Sequence, residues 1–494
     1  MCGFICQFNF DRSFKEDKSI LSKASNVLAH RGPDTKKYKK TKNFQAVFYR
    51  LSIRDLSANG NQPIFSHSKN FIMVFNGEIY NTDYLLTLLN KNKLKGKSDS
   101  EILINLFEEK GPKALQIIKG MFSFVIYDIK NNKIFAARDR FGIKPLYYYK
   151  NRNKIIFSSE IKPLLKIINS ISFNEKSFFD LFNKGYLDHD DKTFFKDIAS
   201  VMPGNQLTIN SSKKLNIKKY WDILYSNQDI FGNNKNEDAH CEKLKLILNQ
   251  TINDHLISDV DIGLFLSGGS DSNSIANLIR FNSNTIIENF TYSFQNESKF
   301  SEVNEAKRIS KLLNQKHHVE IITPNYIKDN FSNIVNEMES PFTSMRLFAV
   351  RKLYERASKE GKKVIIEGHG GDEMFGGYGY NIVPYLIDFY RRFGFEELQN
   401  NYFYKYFDNN KFNFFNKFLT LHDQGLSTTD GTCYLNNNIH LSTKLNSTKL
   451  LQENLHNSYL INSQLLDIKY IKIPRMLKYT DRMSMRFGVE ARVP

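Results

Sequence analysis

Cys2 follows Met1 directly, in the run Met1-Cys2-Gly3-Phe4-Ile5. With Met1 removed, Cys2 would carry a thiol and a free α-amine on one residue, a nucleophile with its own base attached. A thiol titrates near ~8.5 and an α-amine near ~7.7–8.0, so both can be tuned toward neutrality. Working through a water, the amine could take the thiol proton and return it to a leaving group. The structural alternative is a buried cysteine at the start of a first strand.

A second chemical cluster is Ser267-Gly268-Gly269-Ser270-Asp271-Ser272, placed after an apolar run at 262–266. Two glycines let backbone N–H groups approach a polyanion, and a following helix N-terminus suits phosphate. Ser267 and Ser272 add hydroxyls, and Asp271 is a carboxylate of the kind that holds Mg²⁺ beside phosphate oxygens. A third cluster, Glu367-Gly368-His369-Gly370-Gly371-Asp372-Glu373, repeats the pattern of strand, glycines and carboxylates. Asp372 could share a metal with Asp271 across a nucleotide cleft. Gly96-Lys97-Ser98 offers only the tail of a Walker loop, because Lys91 stands where the first glycine belongs.

Nearer the N-terminus, Arg50 could grip a carboxylate bidentately. Asn76 and Gly77 could stabilise an oxyanion during attack by Cys2, and Asp99 could accept an ammonium. Each also has a purely structural reading: a strand-end charge, a hairpin turn and a helix cap.

Two kinds of element must position these groups. The first half alternates short β-like runs at 46–53, 71–75, 122–127, 133–137 and 154–157, with Asn131-Asn132 as a turn and a helix at 98–109 opened by Ser98 or Asp99. This predicts a sheet-rich α+β domain over residues 1–200. A polar linker is expected over 201–240, including the stretch 226–238. Beyond it, strands at 262–266, 286–294 and 364–367 alternate with helices at 302–313 and 347–358, the last stopped by Gly361. That order predicts a mainly parallel sheet over 241–494 with ligands at the strand C-termini. The aromatic, Asn-rich stretch 389–462 gives mixed signals.

A length of 494 residues with 41% hydrophobic and 24% charged content fits two or three globular domains. The 4 cysteines, at positions 2, 6, 241 and 433, form no paired framework or zinc spacing and point to a reducing cytosol. Signal-peptide and transmembrane runs are absent. The net charge of +17 comes mostly from dispersed lysines, with no Arg-rich block, and does not read as nucleic-acid binding.

Taken in order, the motifs resemble the glutamine-dependent asparagine synthetases over nearly the whole chain. The matches are Cys2-Gly3, Arg31-Gly32-Pro33-Asp34, Arg50-Leu51-Ser52-Ile53, Asn76-Gly77-Glu78-Ile79-Tyr80-Asn81, Ser98-Asp99-Ser100-Glu101, the run 138–147, the run 158–162, the phosphate motif, His317-His318, Gly370-Gly371-Asp372-Glu373, the run 481–485 and Glu490-Ala491-Arg492. The resemblance implies an αββα N-terminal-nucleophile glutaminase domain followed by an α/β domain of adenine-nucleotide α-hydrolase type. Cys2 would release ammonia from glutamine, with Asn76 and Gly77 at the oxyanion. Arg50, Leu51, Ile53, Asn76, Gly77, Glu78 and Asp99 would hold the substrate, and ammonia would cross an internal tunnel. Phe265, Ser267, Gly268, Gly269, Asp271, Ser272, Tyr292, Glu367 and Gly368 would bind ATP. Asp271 and Asp372 would hold Mg²⁺, and Arg482 would steady departing pyrophosphate.

Three departures stand out. His369 replaces an acidic residue common in asparagine-forming relatives, although it could itself act as a base. Ser270 replaces an aliphatic residue. The chain stops at Arg492-Val493-Pro494 where the family continues, so a truncated synthetase domain is expected. The expected ligands are glutamine, ATP and aspartate, in a cytoplasmic ligase that contacts neither nucleic acid nor membrane, with a homodimer as a possible assembly. The alternative acceptor is another carboxylate such as a uronic-acid sugar of a surface polysaccharide, which His369 and Pro341-Phe342-Thr343-Ser344-Met345 favour.

Overall fold

Phe4, Cys6 and Phe8 share one face of the first strand and Ile5 the opposite one, and both faces are buried. That is why Phe4, Ile5 and Cys6 are apolar at successive positions instead of alternating with polar ones. The structure is a computed structural model describing residues 2–11, 18–90, 94–225, 230–231, 236–283, 287–296, 301–406 and 455–494. Met1, Ile286, Cys433, most of the expected linker 226–238 and most of the aromatic stretch 389–462 lie outside the described residues.

The strands of the first half are β1 (Cys2–Asn9), β2 (Thr35–Lys40), β3 (Phe44–Arg50), β4 (Ile64–Phe65), β5 (Phe71–Ile79) and β6 (Gly120–Asp128). β7 (Lys133–Arg138), β8 (Tyr147–Lys150), β9 (Lys154–Ser158), β10 (Ile198–Ser200), β11 (Asn205–Asn210) and β12 (Asn216–Lys219) follow. They form two antiparallel sheets, ordered β10-β8-β9-β1-β3-β2 and β12-β11-β7-β6-β5-β4. Phe4, Phe8 and Phe48 of one sheet meet Val74, Val125 and Ile134 of the other in a shared core. The helix Asp99–Lys110, capped by Ser98, covers the outside of the second sheet. Leu21, Leu28 and Leu164 cover the outside of the first. The result is the expected αββα sandwich. Residues 205–219, expected within the linker, supply β11 and β12 at the edge of the second sheet.

The second half contributes β13 (Ile262–Phe265), β14 (Glu288–Phe294), β15 (His317–Ile322), β16 (Val364–Ile366) and β17 (Glu490–Arg492). All pair in parallel, in the order β15-β14-β13-β16-β17, with an apolar cluster on each face. β13 leads to the helix Ser270–Asn282, and β16 to the short helix Gly371–Phe375. Both motif turns therefore leave the same edge of neighbouring strands, as a parallel sheet requires. No helix among the described residues is long and apolar enough to cross a membrane.

Two expected boundaries shift. The strand predicted at 46–53 ends at Arg50, because Leu51 and Ile53 turn away and pack with Ile252, Ile262 and Met485 of the second half. The strand predicted at 71–75 runs on to Ile79, so Asn76-Gly77 is mid-strand and not a hairpin turn.

Candidate active site

β1 and β5 face each other across the first core, and this brings Cys2 to Asn76. The Cys2 backbone N–H donates to Asn76 Oδ1 at 2.9 Å. That bond orients the amide, and its buried Nδ2 has no partner among the described residues. An orphaned buried donor is costly, so its presence beside a thiol fits a site that awaits an acceptor. Gly77 follows at φ 155, and a Cβ added there would run into the Met121 carbonyl of β6. Only glycine fits this close approach. Cys2 Sγ lies 4.0 Å from Leu51 O. Burial pushes the thiol up, against the pull of the Leu51 backbone and the Arg50 charge.

The charges expected to hold an amino acid are nearby but differently committed. Arg50 NH1 donates to Ser57 O at 2.6 Å and Asn61 Oδ1 at 3.1 Å, and NH2 reaches Asp55 O. Among the described residues no carboxylate pairs with it. Asp99 accepts from Ile79 N at 3.1 Å and Ser100 N at 2.7 Å. Burial raises its pKa despite Arg54 and those two N–H donors. Glu78 accepts from Arg54 NH1 at 2.8 Å and stands 3.9 Å from Arg492 NH2 on β17. The Leu51 and Ile53 side chains are built into the core between the halves, and of the two it is the Leu51 carbonyl that lies beside the Cys2 thiol.

The second site is a cavity of about 440 Å³ at the ends of β13, β14 and β16. Phe265, Ser267, Gly269, Asp271, Ser272, Tyr292, Glu367, Gly368, His369 and Asp372 all line it. Gly268 does not; its N–H is turned to Glu302 Oε2 at 3.3 Å. Asp271 packs against Gly371, where a Cβ would collide with the carboxylate, so the two motif turns touch. Burial raises the Asp372 pKa, and the Asp271 and Glu373 carboxylates raise it further. Crowded oxygens of one sign suit a hard divalent cation. His369 Nε2 sits 2.8 Å from Glu367 Oε2. Glu367 also accepts from Thr480 Oγ1 at 2.8 Å and from the Tyr354 hydroxyl. Burial alone would raise its pKa, but His369, Tyr354 and Thr480 outweigh it and hold the carboxyl below its usual range.

Arg482 is not in this cavity. Its guanidinium is 1% exposed, lies 3.2 Å from Glu160 Oε1 and 2.6 Å from Glu339 Oε2, and stacks over Tyr147. It belongs to the seam between the halves, as do Arg31, bonded to Asp481 at 2.8 and 2.9 Å, and Lys363, paired with Asp34 at 3.1 Å.

Sequence reasoning missed Arg54 and Arg492 as partners of Glu78. It also missed Arg346 in the cavity lining. Arg346 begins a helix straight after Pro341–Met345, and its adjacency to that segment was the one available signal.

Residues 1–221 match the family described as "Glutamine amidotransferase domain", and residues 243–494 match the family described as "Asparagine synthase". "Asparagine synthetase [glutamine-hydrolyzing] 2" of Bacillus subtilis (strain 168) is 32% identical over 408 residues, covering 78% of this chain and 53% of that protein. The same organism's "Asparagine synthetase [glutamine-hydrolyzing] 1" is 29% identical over 79% of this chain and 61% of its own length. "Amidase chyE" of Penicillium rubens is 29% identical over 72% of this chain and 55% of its own. The chain thus spans between 53% and 61% of the length of these curated relatives.

Proposed function

The chain belongs to the asparagine synthase family, with a glutamine amidotransferase domain preceding the synthase region, and from that premise we propose that it is a glutamine-hydrolysing asparagine synthetase. Its reaction would convert glutamine, aspartate and ATP to glutamate, asparagine, AMP and pyrophosphate. The observation that carries the glutaminase half is the unpartnered Asn76 amide beside Cys2.

In this reading, loss of Met1 turns the Cys2 N–H into the α-amine that serves as base. Cys2 Sγ attacks the glutamine amide carbon, and Asn76 Nδ2 and Gly77 N–H take the oxyanion. Arg50, with no carboxylate partner among the described residues, holds the substrate carboxylate, and Asp99 with Glu78 holds its ammonium. In the cavity, Ser267, Gly269 and Ser272 cradle phosphate at the start of the helix Ser270–Asn282. Asp271 and Asp372 would hold Mg²⁺, which when bound offsets polyphosphate charge. His369, fixed by Glu367, faces the carboxylate being activated.

The His369–Glu367 pair and the amidase-named relatives favour a second reading, the same chemistry on a different carboxylate. A single assay separates them. The full chain is supplied with glutamine and magnesium ATP, and with either aspartate or a uronic acid such as galacturonate. Asparagine and pyrophosphate formed in equal amounts with aspartate support the first reading. Glutamate formation without any aspartate-dependent pyrophosphate sinks it. Cys2→Ala must abolish glutamate formation while added ammonia still supports product.

A further inference from the structure

A continuous set of buried contacts joins the two sites. Arg31 Nε donates to the Cys2 carbonyl at 3.3 Å, under the nucleophile itself. The same guanidinium makes a bidentate pair with Asp481, at 2.8 and 2.9 Å. Asp481 is covalently next to Thr480 on the helix Lys472–Arg486. Thr480 Oγ1 donates to Glu367 Oε2 at 2.8 Å, and that oxygen also meets His369 Nε2 at 2.8 Å. Arg31, Asp481, Thr480 and Glu367 are all buried, and His369 lines the cavity. No surface loop interrupts the path from the thiol residue to the cavity wall.

Charge and packing make this path stiff. Arg31 cannot swing away without leaving Asp481 buried and uncompensated, and Glu367 without Thr480 would keep one fewer donor. The neighbouring Arg482 pairs with Glu339 and shares Glu160 with Arg31, which lies 3.0 Å from the same carboxylate oxygen. The helix Lys472–Arg486 is therefore held on both sides of the seam, and displacement at one end is felt at the other. An arrangement already ordered by a ligand at one site costs less to order at the second.

Resting on the two-site reading above, we propose that Thr480 and Asp481 are positioning residues that couple occupancy of the cavity to glutamine binding at Cys2, through Glu367 at one end and Arg31 at the other. Neither touches substrate in either site. Ligand in the cavity fixes the His369–Glu367 pair, and Thr480 conveys that fixation to the Arg31–Asp481 clamp under Cys2. By linkage, glutamine must favour cavity binding by the same factor.

The test is the glutamine KM of the full chain, read as glutamate formed, with and without magnesium ATP plus aspartate. The unmutated protein should show a KM lowered about fivefold or more by the cavity ligands. Thr480→Val keeps the side-chain shape and removes the hydroxyl. It should erase that shift while glutamate formation without ATP stays unchanged, which also shows that the variant folds. Thr480→Ser should restore the shift. Lys363→Ala removes the exposed seam pair with Asp34 and should leave it intact. A Thr480→Val protein with the full shift, a Lys363→Ala protein without it, or an unmutated protein that performs both half-reactions with no shift, overturns the inference and leaves the proposed function standing. An unmutated chain that forms no glutamate overturns that function, and the inference with it.

Discussion

The Cys2 pocket and the nucleotide-type cavity solve opposite problems. Around Cys2, nearly every polar group is buried and already bonded: Arg50 to three oxygens, Asp99 to two N–H groups, Glu78 to Arg54. Among the described residues, Asn76 Nδ2 is a buried donor there without a partner. Around the cavity, Asp271, Asp372 and Glu373 crowd together, and Asp372 is held in an unfavourable charge environment. A prebuilt pocket suits a small substrate whose reaction needs one oxyanion stabilised at a fixed point. A cavity with excess negative charge suits a ligand that arrives with cations. Rigidity does the work in the first region, and unbalanced charge does it in the second.

The largest expected effect tests the first half of that contrast. Asn76→Ala should lower glutamate formation about 10²–10³-fold, the usual consequence of losing one oxyanion donor. Ammonia-driven pyrophosphate release should be untouched. An equal loss in both assays would mean that the pocket is not an independent unit. Next, Arg482→Met strikes the seam that both regions share. It leaves Glu160 and Glu339 buried with one cation fewer, and unfolding by denaturant should show a loss of about 3 kcal/mol. If stability holds and only pyrophosphate release fails, Arg482 acts on the ligand after all.

Asp372→Asn tests the second half. It removes one crowded carboxylate charge, and pyrophosphate release should fall about tenfold or more, on the scale seen when a metal site loses a supporting carboxylate. Raising the magnesium concentration should recover part of the loss. Glutamate formation measured without ATP should not change. A rate unaffected at every magnesium concentration would remove Asp372 from any cation site.

What the sequence disclosed follows the range of the interactions. Ser267, Asp271, His369 and Asp372 were legible because each lies within a few residues of a strand end, where local pattern dictates geometry. Asn76 and Asp99 were legible from motif and capping chemistry, although the strand around Asn76 runs on to Ile79. Leu51 and Ile53 were visibly apolar, but which core they join depends on how two domains meet. The place of Arg482 outside the cavity was hidden for the same reason, since Glu160 and Glu339 lie far from it in the chain. Glu78 was identified without Arg492 because the strand that carries Arg492 is the edge of a sheet assembled from five separated segments.

The smallest expected effect concerns acid, and here the two regions should move in opposite directions. At the start of β14, burial pushes the Glu288 carboxyl up, but His318, Lys362 and Lys316 outweigh it and bring it down to about 2 from 4.5. A carboxylate whose pKa is depressed by folding contributes stability that is complete above its unfolded value. That contribution drains away as pH falls from 4.5 toward 2, because the unfolded chain takes up the proton first. Asp99 has the reverse sign. Its pKa is raised by burial above 3.8, so the folded chain takes up the proton first, and lowering the pH relieves a cost. Hydrogen exchange, corrected for the intrinsic effect of pH, should therefore show β14 and β15 losing protection on acidification while the helix Asp99–Lys110 keeps it. Loss in the opposite order would mean that the ion cluster on Glu288 stabilises nothing, and that the Cys2 pocket, not the parallel sheet, is the region whose charges hold the fold.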